Sequence, residues 1–201
     1  MARVNHLLRG VWKMEMTHEK TREKHSINTY QLTATALMAA VLCALASMSI
    51  TIGIVPISLA TFVIYLDAYI LGSRMATVST FIYLLLGLVG LPVYSGFSSG
   101  PAKLFGPTGG YLFGYLFLAF ISGWFIERFP KNKILHIVGM VIATAVLYTL
   151  GTCWLAFQAH MDARTALMAG VIPFLLGDAI KIVVSVIVGP ALRKRINRME
   201  N

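Results

Sequence analysis

The sequence predicts an all-α membrane protein that crosses the bilayer six times, with both termini in the cytoplasm. Of its 201 residues, 57% are hydrophobic and only 12% are charged, and the mean hydropathy is +0.74. A soluble domain carries roughly 25% charged residues, and a chain of this size has too much surface to hide so many apolar side chains from water. The apolar residues form long runs, and basic residues are concentrated between alternate runs.

Residues 1–26 are predicted to form a cytoplasmic arm ahead of a membrane domain at 27–201. The arm mixes Lys and Arg with glutamates and contains no apolar run of signal-peptide length. An apolar cluster at Leu7, Leu8, Val11 and Trp12 leaves open an amphipathic segment lying on the membrane surface.

Six apolar runs have lengths near the roughly 20 residues that a spanning helix needs. Turn-forming residues separate them. Pro56 stands at the start of the second run, 72–74 reads Gly-Ser-Arg, 90–92 reads Gly-Leu-Pro, and 107–110 reads Pro-Thr-Gly-Gly. The predicted spans are 32–50, 55–72, 75–90, 108–127, 134–158 and 173–192.

Loop charges predict the orientation. With the amino terminus inside, fourteen of the seventeen Lys and Arg residues fall in the arm, in the loops after the second and fourth runs, or at the carboxyl terminus. Lys103 and Arg164 fall outside, and Lys181 lies within the sixth run. Because cytoplasmic loops carry the excess of positive charge, we expect the stretches 91–107 and 159–172 outside.

The 91–107 stretch is rich in Gly, Pro, Ser and aromatic residues. A connection of this length inside a compact domain is uncommon unless it binds or covers something. We interpret it as a lid or a ligand-lining loop, with a structural plug across the outer face as the alternative.

Three charged residues lie within the predicted spans and away from the span ends: Asp67, Asp178 and Lys181. Each is costly in lipid and must face the protein interior, a partner or water. Asp67 stands seven residues before Arg74, on roughly the same helical face, which favours an ion pair at the membrane interface. Asp178 and Lys181 are three residues apart and share one face. A buried ion pair is weak stabilisation, so they indicate a ligand site, with a structural pair as the alternative.

The first run carries small residues at four-residue spacing, Ala36, Ala40 and Ala44. Such a stripe lets another helix approach closely. The other helix belongs either to a partner protein or to this chain.

Several function classes find no support in the sequence. It contains no HExxH, no GxSxG and no cluster of histidines with metal-ligand spacing, so neither an enzyme nor a metal site is expected. The glycines at 106–110 lack the spacing and the Lys of a phosphate-binding loop. The net charge of +9 comes from residues at the ends and in loops, not from a basic face with interleaved aromatics, which argues against nucleic acid.

Four motifs stand together in an order and spacing that resemble the biotin-specific substrate-binding component, BioY, of energy-coupling-factor transporters. The likeness runs from about Leu32 to Leu192. The motifs are Val55–Phe62, Leu84–Pro92, Gly106–Leu112, and Pro173–Asp178 followed by Lys181.

The resemblance implies a multi-pass plasma-membrane protein that captures biotin from outside. Transport would be driven by a transmembrane coupling subunit and two ATPase subunits, so this chain itself would bind no cofactor. The stripe on the first helix would contact the coupling subunit. The alternatives are a component for another vitamin, or a membrane enzyme or scaffold.

Carried over by motif, the ligand-facing positions are Asp178, Lys181, the loop 95–100 and the turn 106–111, which includes Gly109. Ser98 is the expected hydroxyl contact. Ala60 departs from the Gln of many relatives, and Asp67 from a small residue. Biotin offers an apolar bicycle and chain, a ureido group and a carboxylate, which suit aromatic walls around a donor and an acceptor. The candidate walls are Phe62, Tyr83, Tyr94, Phe97 and Tyr111.

Overall fold

The computed structural model describes residues 29–51 and 54–197, so the arm at 1–26 lies outside the described residues. From Thr33 onward the chain forms one compact unit, and the contacts below lie within it. The helices are α1 (Thr29–Ser47), α2 (Ala60–Val89), α3 (Pro101–Leu104), α4 (Gly109–Arg128), α5 (Lys133–Gln158), α6 (Ala163–Gly170) and α7 (Ile172–Asn197). The strands are β1 (Ser49–Thr51) and β2 (Pro56–Ser58).

Within the described residues, five helical stretches are long and apolar enough to cross a membrane. They are α1, α2, α4, α5 and the run Ala163–Ile196, which joins α6 to α7. The expectation of a mostly helical membrane protein is therefore confirmed. Most of the predicted second run and nearly all of the third fall within α2.

The first predicted run ends in strand β1 instead of helix, and the second begins at strand β2 instead of helix. β1 and β2 pair antiparallel, with Ser49 opposite Ser58 and Thr51 opposite Pro56. Pro56 has no N–H to donate, and the hydrogen bonds between the strands take up backbone groups that lie beyond the end of α1. Apolar composition alone does not distinguish this short hairpin from continued helix.

The chain reverses direction within α2, at Gly72. Gly72 adopts φ 76° and ψ −177°, a conformation that is essentially restricted to glycine. The Ser79 hydroxyl donates to Asp67 Oδ2 over 2.9 Å. Twelve residues of continuous helix would separate these positions by about 18 Å. The two halves, α2a (residues 60–71) and α2b (residues 73–89), therefore lie side by side.

This reversal overturns the expected Asp67–Arg74 ion pair. Asp67 is fully buried and bonded to Ser79, whereas Arg74 is exposed. Among the described residues the ion pair is Asp178–Lys181. The expectation was wrong because it extrapolated one helical phase across a residue at which the helix breaks.

Glu127, near the end of α4, holds the reversal in place. Its carboxylate accepts from the Ser73 backbone N–H over 3.0 Å and from the Ser73 hydroxyl over 2.6 Å. A negative charge is favourable at this first residue of α2b because helix N-termini carry unsatisfied N–H groups and a partial positive charge. Gly123, one turn earlier on α4, allows the backbone of Ser73 to approach closely.

Buried tyrosines contribute polar contacts to the core. Tyr65, Tyr69 and Tyr94 are almost completely buried, and each hydroxyl has a partner. Tyr65 bonds Thr144, Tyr69 bonds His136 Nδ1, and Tyr94 donates to the Leu84 carbonyl over 2.6 Å. These bonds offset the cost of burying hydroxyls in an apolar interior.

Replacing Gly72 by Ala is expected to destabilise the protein, because a Cβ there requires a strained backbone and collides with the Glu127 carboxylate. We expect a loss on the order of 1 to 3 kcal/mol, read as a lower thermal unfolding temperature in detergent. Gly177→Ala is the matched control, since that helical glycine has open space around it. An Ala there should leave stability equal or raise it by up to about 1 kcal/mol. Equal melting temperatures for Gly72→Ala and the parent would contradict the proposed strain.

Candidate functional site

The charged pair on α7 lies at the centre of a hydrogen-bond network. Lys181 Nζ donates to Asp178 Oδ1 over 2.9 Å, to Thr61 Oγ1 over 3.0 Å and to the Ser58 carbonyl over 2.8 Å. An ammonium has three donors, so every donor of Lys181 is used. The side chains of Lys181 and Asp178 are 13% and 6% exposed, and the network compensates for their removal from water.

Two hydroxyl groups also donate hydrogen bonds to the Asp178 carboxylate. Thr61 of α2a donates to Oδ1 over 3.0 Å, and Tyr148 of α5 donates to Oδ2 over 2.6 Å. Thr61 donates to Asp178 while it accepts from Lys181, which fixes its hydroxyl between the two charges. One pair on α7 thus binds to α2a, α5 and the end of β2.

A small cavity surrounds this network. Its walls combine side chains that can form hydrogen bonds with aromatic rings and aliphatic side chains. This arrangement can bind a small organic molecule that has both an apolar body and polar atoms of both kinds. The lining residues are Val55, Pro56, Ser58, Thr61, Tyr111, Tyr115, Leu147, Tyr148, Gly170, Phe174, Asp178 and Lys181.

Three of the residues expected at the site meet at this cavity: Asp178, Lys181 and Tyr111. Tyr111 is held by two bonds, because its hydroxyl donates to the Gly170 carbonyl over 3.0 Å and contacts Thr152 Oγ1. Its ring lies directly against Gly151 of α5, where a side chain would collide with it. These contacts hold the Tyr111 ring in the cavity wall.

Phe97 borders a second, outer groove that also reaches Lys181. This residue is 66% exposed and has a positive φ of 55°. The loop around it is tied down, since the Gly96 N–H donates to the Ser47 carbonyl and the Ser98 hydroxyl to the Ser95 carbonyl. The remaining lining residues of the outer groove are Met48, Ser49, Ile50, Ile57, Ser58 and Leu59.

The other expected residues lie outside the cavity lining. Tyr83 and Tyr94 pack edge to face, with ring centroids 5.6 Å apart. Gly109 is pressed against the Leu104 carbonyl, where a Cβ would collide with the backbone. Phe62 is half-buried on α2a, next to Thr61.

Sequence reasoning missed Thr61, Tyr115 and Tyr148. A signal for them exists, because each is a polar side chain inside a long apolar run, where polar groups require partners. The requirement for partners also indicates Asp178 and Lys181, because it is strongest for charged residues. Which hydroxyls face the pair depends on how the helices pack.

The small-residue stripe lies on an open face of α1. Ala36, Ala40 and Ala44 are exposed, whereas Ala39 and Leu42 of the opposite face are buried in the protein. Within the part of the chain that the structure describes, the stripe is therefore not covered by another helix.

Comparison with known proteins identifies related chains. Residues 16–198 match the BioY family. The biotin transporter BioY2 of Lactococcus lactis is 36% identical over 168 residues, which cover 84% of this chain and 92% of that protein. The biotin transporter BioY of Thermotoga maritima is 37% identical over 164 residues, covering 82% and 96%. A 2.1 Å crystal structure of the S-component for biotin from an ECF-type ABC transporter superposes with a TM-score of 0.74 at 31% identity, covering 82% of this chain and 90% of that one.

Proposed function

Because the chain belongs to the BioY family, we propose that it captures biotin as the substrate-binding subunit of an energy-coupling-factor importer. It is a multi-pass membrane protein of a transporter family and not an enzyme. The observation that carries the proposal is the buried Asp178–Lys181 pair, held by Thr61 and Tyr148 in a cavity with aromatic walls. Its donors and acceptors suit the ureido group, and its rings suit the bicycle and chain.

Binding at this pair proceeds by exchange of hydrogen bonds. All three donors of Lys181 are already used, so a ligand oxygen can accept from Lys181 only by replacing one acceptor. The Ser58 carbonyl is the acceptor we expect to be replaced, because it belongs to the short hairpin and not to a packed helix. Biotin would then loosen the hairpin from α7 as it enters. Ser98, Gly109, Phe62, Tyr83, Tyr94 and Phe97 remain proposed ligand-facing positions.

The partners follow from the same assignment. We propose that the exposed stripe Ala36, Ala40 and Ala44 docks on a transmembrane coupling subunit, and that two ATPase subunits supply the energy. The small side chains let two helix backbones approach closely.

The proposed arrangement in the membrane has six crossings and cytoplasmic termini, with residues 27–201 as the substrate-binding domain. Two observations support it: the reversal at Gly72 makes α2a and α2b antiparallel, and the loop cations are distributed unequally.

Removing either member of the pair should weaken biotin binding. We expect Asp178→Ala and Lys181→Ala each to raise the Kd for labelled biotin at least about tenfold, since losing a desolvated polar contact costs on the order of 1 to 3 kcal/mol. Equilibrium binding to the detergent-purified chain is the measurement, with thiamine and riboflavin as competitors. Competition by either vitamin would indicate a different substrate.

The double variant is the control for a loss of folding. Each single variant strands one buried charge, whereas the double variant leaves none, so it should regain thermal stability without regaining affinity. Asp67→Ala, which removes a buried carboxyl outside the cavity lining, should bind biotin nearly as the parent does. Parent-like affinity of both single variants would refute the assignment of the pair.

A bulky residue on the stripe should separate docking from ligand capture. We expect Ala40→Trp to abolish co-purification with the coupling subunit and biotin uptake, because a close helix contact tolerates little added volume. Biotin binding by the isolated chain should persist. Val138→Trp, at an exposed position of α5, is the control and should assemble normally. Normal assembly of Ala40→Trp would exclude the stripe as the docking surface.

Labelling of single cysteines tests the orientation. In a background with Cys43 and Cys153 replaced by Ala, cysteines at the exposed positions Ala102 and Ala163 should react with an impermeant maleimide in intact cells. A cysteine at Lys131 should react only after the cells are opened. We choose Lys131 and not its neighbour Asn132 for the cysteine, because the Asn132 side chain caps α5. The reverse labelling pattern would show that the protein has the opposite orientation in the membrane.

A further inference from the structure

An apolar groove runs between α5 and α7, outside the ligand cavity. Ile137, Val141 and Ala145 of α5 and Leu175, Ala179 and Val183 of α7 line it. Both helices belong to stretches long and apolar enough to cross a membrane. The groove therefore opens on a surface whose surroundings in the bilayer are hydrocarbon chains.

The polar residues along the groove direct their polar atoms away from it. The Thr144 hydroxyl bonds the Met140 carbonyl and Tyr65. The Asp178 oxygens bond Lys181, Thr61 and Tyr148. The groove consequently presents mainly carbon, which suits an alkyl chain and offers nothing to a polar ligand.

Tyr148 and Asp178 line both the groove and the ligand cavity. The Tyr148 hydroxyl donates to Asp178 Oδ2 over 2.6 Å and so joins α5 to α7 between the two spaces. The phenol suits this position, because its ring is apolar and its hydroxyl is polar. Removal of the ring would connect an apolar, lipid-facing space with the site.

We propose that the groove holds an acyl chain of a membrane lipid, and that Tyr148 is the wall that keeps this chain out of the ligand cavity. Tyr148 is thus a positioning and specificity residue, since it orients Asp178 through its hydroxyl and excludes hydrocarbon through its ring. The inference rests on the proposed function only in taking biotin as the ligand of the cavity.

The test uses the full chain in nanodiscs that contain a phosphatidylcholine with a photoactivatable diazirine in the middle of one acyl chain. Cross-linked residues are mapped by mass spectrometry. In the parent, groove residues such as Val141 and Ala179 should be labelled more strongly than Phe117 and Phe120, which are exposed on α4. The cavity residues Tyr111 and Phe174 should stay unlabelled. Equal labelling of groove and reference positions would overturn the acyl-chain site.

Variants of Tyr148 test the wall. Tyr148→Ala should bring labelling to Tyr111 and Phe174, and biotin should suppress it. Tyr148→Phe keeps the ring, so the cavity should stay unlabelled, while the lost hydrogen bond weakens biotin binding by about fivefold. Tyr148→Leu repeats the test if the Ala variant fails to fold. An unlabelled cavity in a folded Ala or Leu variant would refute the proposal that Tyr148 keeps the acyl chain out of the cavity.

The two proposals fail separately. If the parent does not bind biotin, the proposed function is wrong, but the lipid labelling is still interpretable. If the parent binds biotin and the labelling shows no preference for the groove, the function stands and this inference falls.

Discussion

The rest of the structure depends on the hydrogen bonds that the Lys181 ammonium requires. Placed in an apolar span, it must have an acceptor for each of its three donors. The acceptors come from one neighbour on its own helix, one side chain of α2a and one backbone carbonyl of the hairpin. Asp178 then draws in Tyr148 of α5. Segments distant in sequence are thereby brought to one point, at the cavity where we propose that biotin binds.

The reversal at Gly72 sets the packing of the two halves of α2. If residues 60–89 formed one continuous helix, Thr61 and the residues of α2b would lie at opposite ends of it. The glycine, with Glu127 bound to Ser73, folds α2b back beside α2a. Asp67 reinforces the pairing through Ser79.

The outward faces of α1 and of α5 and α7 differ in chemistry. On α1 the exposed face carries alanines, which permit close contact with another helix. On α5 and α7 the exposed face carries large aliphatic side chains such as Val141 and Leu175, which suit lipid. Tyr148 and Asp178 line both the groove between α5 and α7 and the cavity at the charged pair. In our proposal the Tyr148 ring keeps lipid out of that cavity.

The sequence by itself determined the solvent of the protein and the identity of its charged pair. Hydropathy requires a bilayer, and residues three apart on a helix must share a face, so Asp178 and Lys181 were predictable from spacing alone. Their hydroxyl partners were not, because Thr61 and Tyr148 lie 117 and 30 residues from Asp178 and meet it only through packing. The same holds for the neighbours of Tyr83 and Tyr94. These two rings pack on each other edge to face, a contact that composition does not predict because an aromatic residue in an apolar run suits a core and a pocket equally. Only the tertiary structure decided which neighbours each side chain meets, because the turn at Gly72 and the hairpin at Ser49–Ser58 reset the phase and direction on which sequence periodicity depends.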